Sequence, residues 1–342
     1  MRKIYTLAEL THHLNGELHG DAMHSIQAVA SLGCAGSNEL AYFDNPALIG
    51  LLTNTKAGAV LLTANHVEFC PVNSLVVTNP LASMATVAEM LNQPAVQTGG
   101  IHSQASVAPS ATLGRQVAVG INTIIGEGVC LGDKVTIAEN CVIDAGVIIG
   151  DQTVIASGAC IQKGSRIGNK VMIGSGAVVG APPFNSEKIQ GQWHAGWALG
   201  GVFIENNVRI GANTVISKGA LGDTVISEGV HIDDLVQIAH EVIIGAHTAI
   251  ASCATLGAYA RIGSHCIIGG ASCVTAHVTL ADDVVITAMS TVNKSIARAG
   301  IYSSGTAISE HQRWRRNVAR FRRLDDYIMR IIRLEREKQV NQ

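Results

Sequence analysis

Every sixth residue from Ile101 to Val179 is Ile, Val or Leu, fourteen positions in succession that include Val107, Leu113, Ile125, Ile149 and Ile173. The period stops at Ala181-Pro182-Pro183-Phe184 and returns at Ile204, Ile210 and Ile216. It then skips four residues and runs again from Ile226 through Ile238, Ile250 and Ile268 to Val292. Self-similarity at so short a period describes units that are stable only as an array. Three six-residue units close one triangular turn, each a short flat strand followed by a corner. The anchor points inward and rests on the anchor eighteen residues later, one inter-strand spacing of roughly 4.8 Å away. The residue after an anchor is usually Gly, Ala or Asp, and the one four later is small or β-branched, as in Ile125-Gly126-Glu127-Gly128-Val129-Cys130. Gly and Asn tolerate the torsions a corner demands. The expectation is a mainly β chain built on a left-handed parallel β-helix of about ten coils, roughly 48 Å long at that spacing.

Composition agrees with such a core. Hydrophobic residues make up 47% of the 342, charged residues 15% and aromatics only 4%, so the interior is made of small stackable side chains. A net charge of −2 gives no electrostatic case for nucleic acid. None of the eight cysteines sits in C-x-x-C or zinc-knuckle spacing, and the reading is free, mostly buried thiols in a reducing compartment. The N-terminus lacks the apolar run of a secretory signal, and no uninterrupted apolar stretch of about 18 residues is present. A cytoplasmic protein with no integral membrane segment is expected.

Three segments follow. Residues 1–98 lack the period and read as a small α/β domain, with a helix over Leu7–Leu14, buried strands over Ala57–Leu62 and Leu75–Thr78, and a helix from Pro80 to Asn92. Gly99-Gly100 marks the junction with the β-helix, 99–298. The excursion 181–203 holds four of the thirteen aromatic rings, Phe184, Trp193, Trp197 and Phe203, and a loop that long in a repeat array is usually functional or an inter-subunit contact. Residues 299–342 form a C-terminal helical extension. From Ser309, a plausible N-cap, to Lys338, an apolar stripe of Trp314, Val318, Phe321, Leu324, Ile328, Ile331 and Leu334 lies opposite an arginine-rich face. Ten Lys or Arg against five Asp or Glu make this tail positive in a negative chain. It suits either a solvated bundle face or an acidic partner.

For chemistry, Gln237-Ile238-Ala239-His240 stands out. His240 follows the inward anchor Ile238 by two places, near a corner. Asp233 lies seven residues earlier, and a carboxylate within reach of an imidazole fixes its tautomer and raises its basicity. His277 comes two coils and one residue after His240, which puts both on one edge, roughly 10 Å apart. A zinc site recruiting His231, His240, His247 and His265 is a competing reading that no spacing singles out.

Taken together, Gln237-Ile238-Ala239-His240, Ile268-Gly269-Gly270-Ala271-Ser272, His277, Gly300-Ile301-Tyr302-Ser303-Ser304-Gly305-Thr306, Trp314-Arg315-Arg316-Asn317, Arg320-Phe321-Arg322-Arg323-Leu324-Asp325, Ala28-Val29-Ala30-Ser31-Leu32 and Asn45-Pro46 resemble the UDP-3-O-(3-hydroxyacyl)glucosamine N-acyltransferases of lipid A synthesis. These belong to the hexapeptide-repeat acyltransferase superfamily, and the resemblance covers nearly the whole length. It implies a homotrimer with active sites between neighbouring prisms. It implies an acyl carrier protein thioester as donor, UDP-3-O-acyl-glucosamine as acceptor, and no cofactor or metal. His240 would take the proton of the sugar 2-amino group, Asp233 would orient His240, and His277 would assist. Gln237 would contact substrate, and the backbone N–H of Ala258 would stabilise the oxyanion. Lys294, Arg315, Arg316, Arg320 and Arg323 would meet the acidic carrier. Tyr42, Asn45 and Leu48 would hold the uridine.

The sequence departs from the family in places. The uridine motif resembles F-x-x-N-P-K-Y in the family, whereas this chain reads Tyr42-Phe43-Asp44-Asn45-Pro46-Ala47-Leu48. One aromatic wall becomes aliphatic, weakening nucleotide affinity by about 1 kcal/mol. Val215-Ile216-Ser217-Lys218-Gly219-Ala220-Leu221 replaces the family's T-I-D-R-G-A-L. Met289-Ser290-Thr291-Val292-Asn293 carries smaller side chains where the family has larger ones, which implies a deeper acyl channel. A related hexapeptide acyltransferase acting on another sugar nucleotide or donor is the alternative, and a non-catalytic or zinc-binding β-helix is the third reading.

Overall fold

The computed structural model describes residues 3–91, 100–305 and 309–340. The chain divides into two compact units, 1–97 and 98–342. The expected junction glycine, Gly99, lies outside the described residues.

The first unit is an open α/β layer. Parallel strands Ala28–Val29, Glu39–Tyr42, Ala59–Leu62 and Asn73–Val76 lie side by side, and Glu17–His19 closes one edge antiparallel to Asn73–Val76. Alternation along Ala59–Leu62 makes the two faces. Ala59 and Leu61 join Leu7 and Leu10 of helix Leu7–Leu14 and Met84 and Val87 of helix Pro80–Leu91. Val60 and Leu62 pack with Leu32, Phe43 and Leu52 on the other side. The Leu7–Leu14 helix starts where a reciprocal capping box forms between Thr6 and Glu9.

The second unit is the left-handed parallel β-helix. Three parallel sheets of eleven, ten and nine strands form its faces. The first face runs from Gly100–Ile101 to Gly300–Tyr302, the second from Ser106–Val107 to Thr291–Val292, and the third from Thr112–Leu113 to Thr279–Leu280. Partners such as Ile124↔Val142 and Val142↔Cys160 are one coil apart. Each hexad sends two residues inward, the anchor and the residue two before it. Val129, Val135, Val147 and Val171 are therefore as buried as their anchors, and one continuous core fills the prism. Corners turn at the third residue after the anchor, where Asn122, Asn140, Asn207 and Asn213 take φ between 55° and 58°.

Some inward positions carry hydroxyls. Thr153 is fully buried, donates to the Gly168 carbonyl at 2.9 Å and accepts from the Val171 N–H at 3.1 Å. Thr123, Thr214, Thr248 and Ser272 repeat the pattern. Each hydroxyl fastens its coil to the next.

Several expectations shift. The prism extends past 298, because Gly300–Tyr302 pairs with Val284–Ile286. The excursion is shorter than 181–203: Val178–Ala181 and Val202–Ile204 both belong to the prism, and a hairpin of Glu187–Ile189 with Gln192–His194 lies between them. The C-terminal segment is two helices, His311–Arg322 and Leu324–Val340, broken at Arg323, and Glu310 rather than Ser309 caps the first by accepting from the Gln312 N–H. Only Cys141 and Cys266 are buried, whereas Cys34, Cys130 and Cys253 are exposed. Cys130 precedes its anchor and so faces outward, and Cys253 occupies a corner. Among the described residues no helix is long and apolar enough to cross a membrane.

Replacing Thr153 by Val leaves the Val171 N–H and Gly168 carbonyl buried without a partner. The variant is expected to lose about 1–3 kcal/mol, read as a lowered midpoint in urea unfolding, while Thr136→Val on an outer face leaves that midpoint in place.

Candidate active site

The corner between the second and third faces gathers the titratable groups. On three successive coils its left-handed position is held by Glu241, Tyr259 and His277, at φ 57°, 61° and 62°. Stacking at the coil repeat brings these side chains over one another. The Tyr259 and His277 rings lie 4.8 Å apart and 9° from parallel. His240 is 5% exposed, and its ring meets Tyr259 edge-on at 5.1 Å. Its Nδ1 lies 3.0 Å from Oε2 of Glu241, whose side chain is 13% exposed.

Within this chain the carboxylate beside His240 is Glu241, and the expected Asp233 does not reach it. Asp233 follows the first-face anchor Ile232, whereas His240 follows the second-face anchor Ile238, so a whole face of the triangle separates them within one chain. Asp233 instead accepts from the hydroxyl and the N–H of Ser252, and its carboxyl is lowered first by that hydroxyl.

Glu241 is built into the four-residue insertion of the repeat. Oε1 accepts from the N–H groups of Gly222 at 2.9 Å and Leu221 at 3.2 Å, while the Glu241 N–H donates to Thr224 Oγ1. The returning end of the excursion fastens to the same insertion, through Leu199 N–H to the Ala220 carbonyl and Gly200 N–H to the Gly219 carbonyl. Burial works to raise the Glu241 carboxyl. The Gly222 N–H, His240, the Leu221 N–H and the Tyr259 hydroxyl outweigh it and hold the group at about 2. The phenol is raised in turn, chiefly by its hydrogen bond to that carboxylate. A carboxylate can only accept, so in the neutral imidazole Nδ1 carries the proton and Nε2 keeps its lone pair.

Along this edge the N–H groups of Glu127, Ala145, Ala258 and Ala276 have no hydrogen-bond partner among the described residues. On the other two edges some N–H groups two places after an anchor are capped by a side-chain oxygen of the next coil: Arg115 by Asp133, Asp133 by Asp151, Ala212 by Asp234, Ser264 by Asp282. At Ala258 the next coil offers the methyl of Ala276. Ala258 therefore makes no such bond, although its neighbours Gly257 and Tyr259 donate to the Val274 and His240 carbonyls.

The other expected residues lie apart. Gln237 faces outward on the second face, beside Thr255. Lys294 is exposed on the His240 corner, three coils along. Arg315, Arg316 and Arg320 are exposed on helix His311–Arg322, and Arg323 covers the Tyr327 ring at 5.5 Å. In the first unit Tyr42 ends its strand half-buried, Asn45 caps the turn Pro46–Leu48 by accepting from the Ala47 N–H at 3.0 Å, and Leu48 is exposed. Of the four histidines considered for zinc, His247 and His265 stack on another corner and His231 faces outward on the first face. Among the described residues no three of His, Cys, Asp and Glu gather as metal ligands.

The chain is similar to known proteins along nearly its whole length. Residues 24–90 match the family model of UDP-3-O-(3-hydroxymyristoyl) glucosamine N-acyltransferase, LpxD, and residues 223–258 match that of the bacterial transferase hexapeptide repeats. A UDP-3-O-acylglucosamine N-acyltransferase of Coxiella burnetii (strain RSA 493 / Nine Mile phase I) is 41% identical over 333 residues, spanning 97% of both chains. The chain belongs to the UDP-3-O-acylglucosamine N-acyltransferase family. It is an acyltransferase, and a family relative from Pseudomonas aeruginosa (strain UCBPP-PA14) is 42% identical over 97% of this chain and 94% of its own. The solved Arabidopsis UDP-N-acetylglucosamine acyltransferase shares the fold, with a TM-score of 0.55 at 24% identity over 60% of this chain and 71% of that one.

Sequence reasoning missed Glu241, Tyr259 and the insertion. The adjacency His240-Glu241 and the eighteen-residue step from Glu241 to Tyr259 were the available signals.

Because the Glu241 carboxyl lies below its usual 4.5, at about 2, its contribution is complete above pH 4.5 and disappears as pH falls toward 2, on the order of 3 kcal/mol. Glu241→Gln is expected to melt lower than the native protein at pH 7, with the gap closing below pH 4.5; thermal scans across that range check it.

Proposed function

We propose that this acyltransferase moves a 3-hydroxyacyl chain from acyl carrier protein to the 2-amino group of UDP-3-O-acyl-glucosamine in lipid A synthesis, with His240 as general base. The observation that carries this reading is the buried His240–Glu241 pair, which leaves Nε2 able to accept a proton. The amine nitrogen attacks the thioester carbonyl carbon, and Nε2 takes a proton from that nitrogen. The tetrahedral oxyanion is held by a backbone donor, for which the uncapped Ala258 N–H is suited. Collapse breaks the C–S bond, and the imidazolium returns its proton to the leaving thiolate. His277, stacked on Tyr259 along the same edge, would assist the intermediate.

Partners follow from the surfaces. A homotrimer gives the helix stripe of Trp314, Phe321, Leu324, Ile328, Ile331 and Leu334, all exposed in the single chain, a place to pack. Lys294 with Arg315, Arg316, Arg320 and Arg323 would steer the acidic carrier protein. Tyr42, Asn45 and Leu48 would take the uridine, with one aromatic wall in place of two, and Gln237 would contact the acceptor. No metal or cofactor has a part in these steps, and the setting is the cytoplasm.

The test is transfer from 3-hydroxyacyl carrier protein to UDP-3-O-acyl-glucosamine, run beside His240→Ala. Turnover that the variant loses by at least about a hundredfold supports the reading. No transfer from the intact protein would favour the second reading, another sugar nucleotide acceptor or donor, which the exposed Leu48 in place of a ring already commends. Thr291 lines a pocket of about 210 Å³ with Ile286, Val292 and Lys294 at the end of the prism. Thr291→Met is expected to shorten the preferred acyl chain, and competition between carrier proteins bearing chains of different length measures it.

A further inference from the structure

We propose that Thr224 is a positioning residue of the acyl-transfer site, whose buried hydroxyl ties the two ends of the insertion together and fixes the backbone of Glu241. This rests on the reading of His240 as the base.

The hydrogen bonds of Thr224 set it apart from the other inward hydroxyls. Thr153, Thr248 and Ser272, on the first and second faces, each donate to a carbonyl fifteen residues on and accept from the N–H eighteen residues on. Thr224 is fully buried on the third face. Its Oγ1 donates back seven residues to the Ser217 carbonyl at 2.7 Å and accepts from the Glu241 N–H, seventeen residues on, at 2.8 Å. Its own N–H donates to the Gly201 carbonyl at 3.1 Å, on the returning arm of the excursion. Core packing does not call for a hydroxyl here. The same inward column holds Val147, Val202, Val242 and Val278, all buried. A valine would fill the space at 224 and lack only the two hydroxyl bonds.

Those bonds decide how Glu241 is held. Ser217 ends the strand Val215–Ser217 and Thr224 begins the strand Thr224–Ile226, so the hydroxyl spans the mouth of the inserted loop. That loop carries Leu221 and Gly222, whose N–H groups reach Glu241 Oε1 at 3.2 and 2.9 Å, while Oε2 faces His240 Nδ1 at 3.0 Å. One stretch of chain therefore grips Glu241 twice, at its backbone through Thr224 and at its carboxylate through Leu221 and Gly222. Without the hydroxyl, the Ser217 carbonyl and the Glu241 N–H lose their partner, and loop and carboxylate are free to drift apart. The imidazole then loses the fixed acceptor that sets its tautomer. Thr224 thus acts on the reaction through Glu241, without a proton transfer of its own.

The test is the acyl-transfer assay on Thr224→Val and Thr224→Ala, with Thr224→Ser as the conservative change and Thr153→Val as a latch several coils from His240. For Thr224→Val, kcat is expected to fall about tenfold, with KM for the acceptor held within about twofold. Thr153→Val is expected to lower the melting temperature comparably and to keep native kcat where both variants are folded. Thr224→Ser restores both bonds and is expected to keep kcat within about twofold of native. Glu241→Ala removes the side chain that the insertion grips, so adding Thr224→Val to it is expected to change kcat by less than about twofold. Native kcat in folded Thr224→Val and Thr224→Ala overturns the proposal. So does an equal kcat loss in Thr153→Val, an undiminished loss on top of Glu241→Ala, or a Thr224→Ser variant as slow as the valine one. Failure of both the valine and alanine variants to fold where Thr153→Val folds makes the residue structural only and overturns it as well. His240→Ala, measured alongside, keeps the two readings apart. Native turnover in that variant sinks the general-base reading itself, whereas an inactive His240→Ala beside an unaffected Thr224→Val sinks only the role of Thr224.

Discussion

Every coil of the prism must hydrogen-bond to the coils on either side at the spacing of parallel strands, and the remaining features follow from that. Because one turn takes eighteen residues, each side chain lies over the chemically equivalent position of the next coil. Inward columns become continuous stacks of Ile and Val. Inward hydroxyls become latches, since Thr153 and Thr214 can reach both a carbonyl and an N–H of the neighbouring turn. Corner residues become ladders, which is how a carboxylate, a phenol and an imidazole come to share one edge as Glu241, Tyr259 and His277.

The site lies beside the places where the repeat is broken. The register lengthens between Ala181 and Val202, where the excursion leaves and rejoins the prism, and again between Ser217 and Thr224, where four residues are inserted. Neither break disturbs the core, because Ile204, Ile216, Ile226 and Ile238 resume their stacks. The inserted backbone curls back and presents two N–H groups to Glu241, and the returning arm of the excursion secures the insertion. Irregular backbone thus supplies what a regular coil cannot, several donors converging on one buried oxygen. That convergence keeps a carboxylate charged where burial alone would neutralise it.

A missing side chain contributes as well. On the other two edges an Asp or Asn oxygen closes the amide of the coil before it at Arg115, Asp133, Asp151, Asn169, Ala212 and Ser264. At Ala258 the next coil has only a methyl group, so the amide stays available next to His240. His240 and that amide are therefore a coil apart on the same edge, a separation set by strand spacing and not by flexible loops.

The period of six by itself determined the triangular coil, the inward anchors, the corner positions and the placing of His240 and His277 on one edge, because each of these depends only on counting along a chain whose stacking is uniform. The family features of the sequence likewise pointed to the acyltransferase that the comparisons identify. Counting did not yield the partner of His240. Asp233 looks near at seven residues, yet those residues span a full face of the triangle, and adjacent Glu241 turns into the position. Nor could it reveal that the skipped register at 217–224 wraps the carboxylate, that the Tyr259 ring lies between His240 and His277, or that the excursion is a hairpin whose return arm holds the insertion. Those outcomes depend on the directions in which side chains and unpaired amides point across neighbouring coils, and only the folded chain fixes those directions.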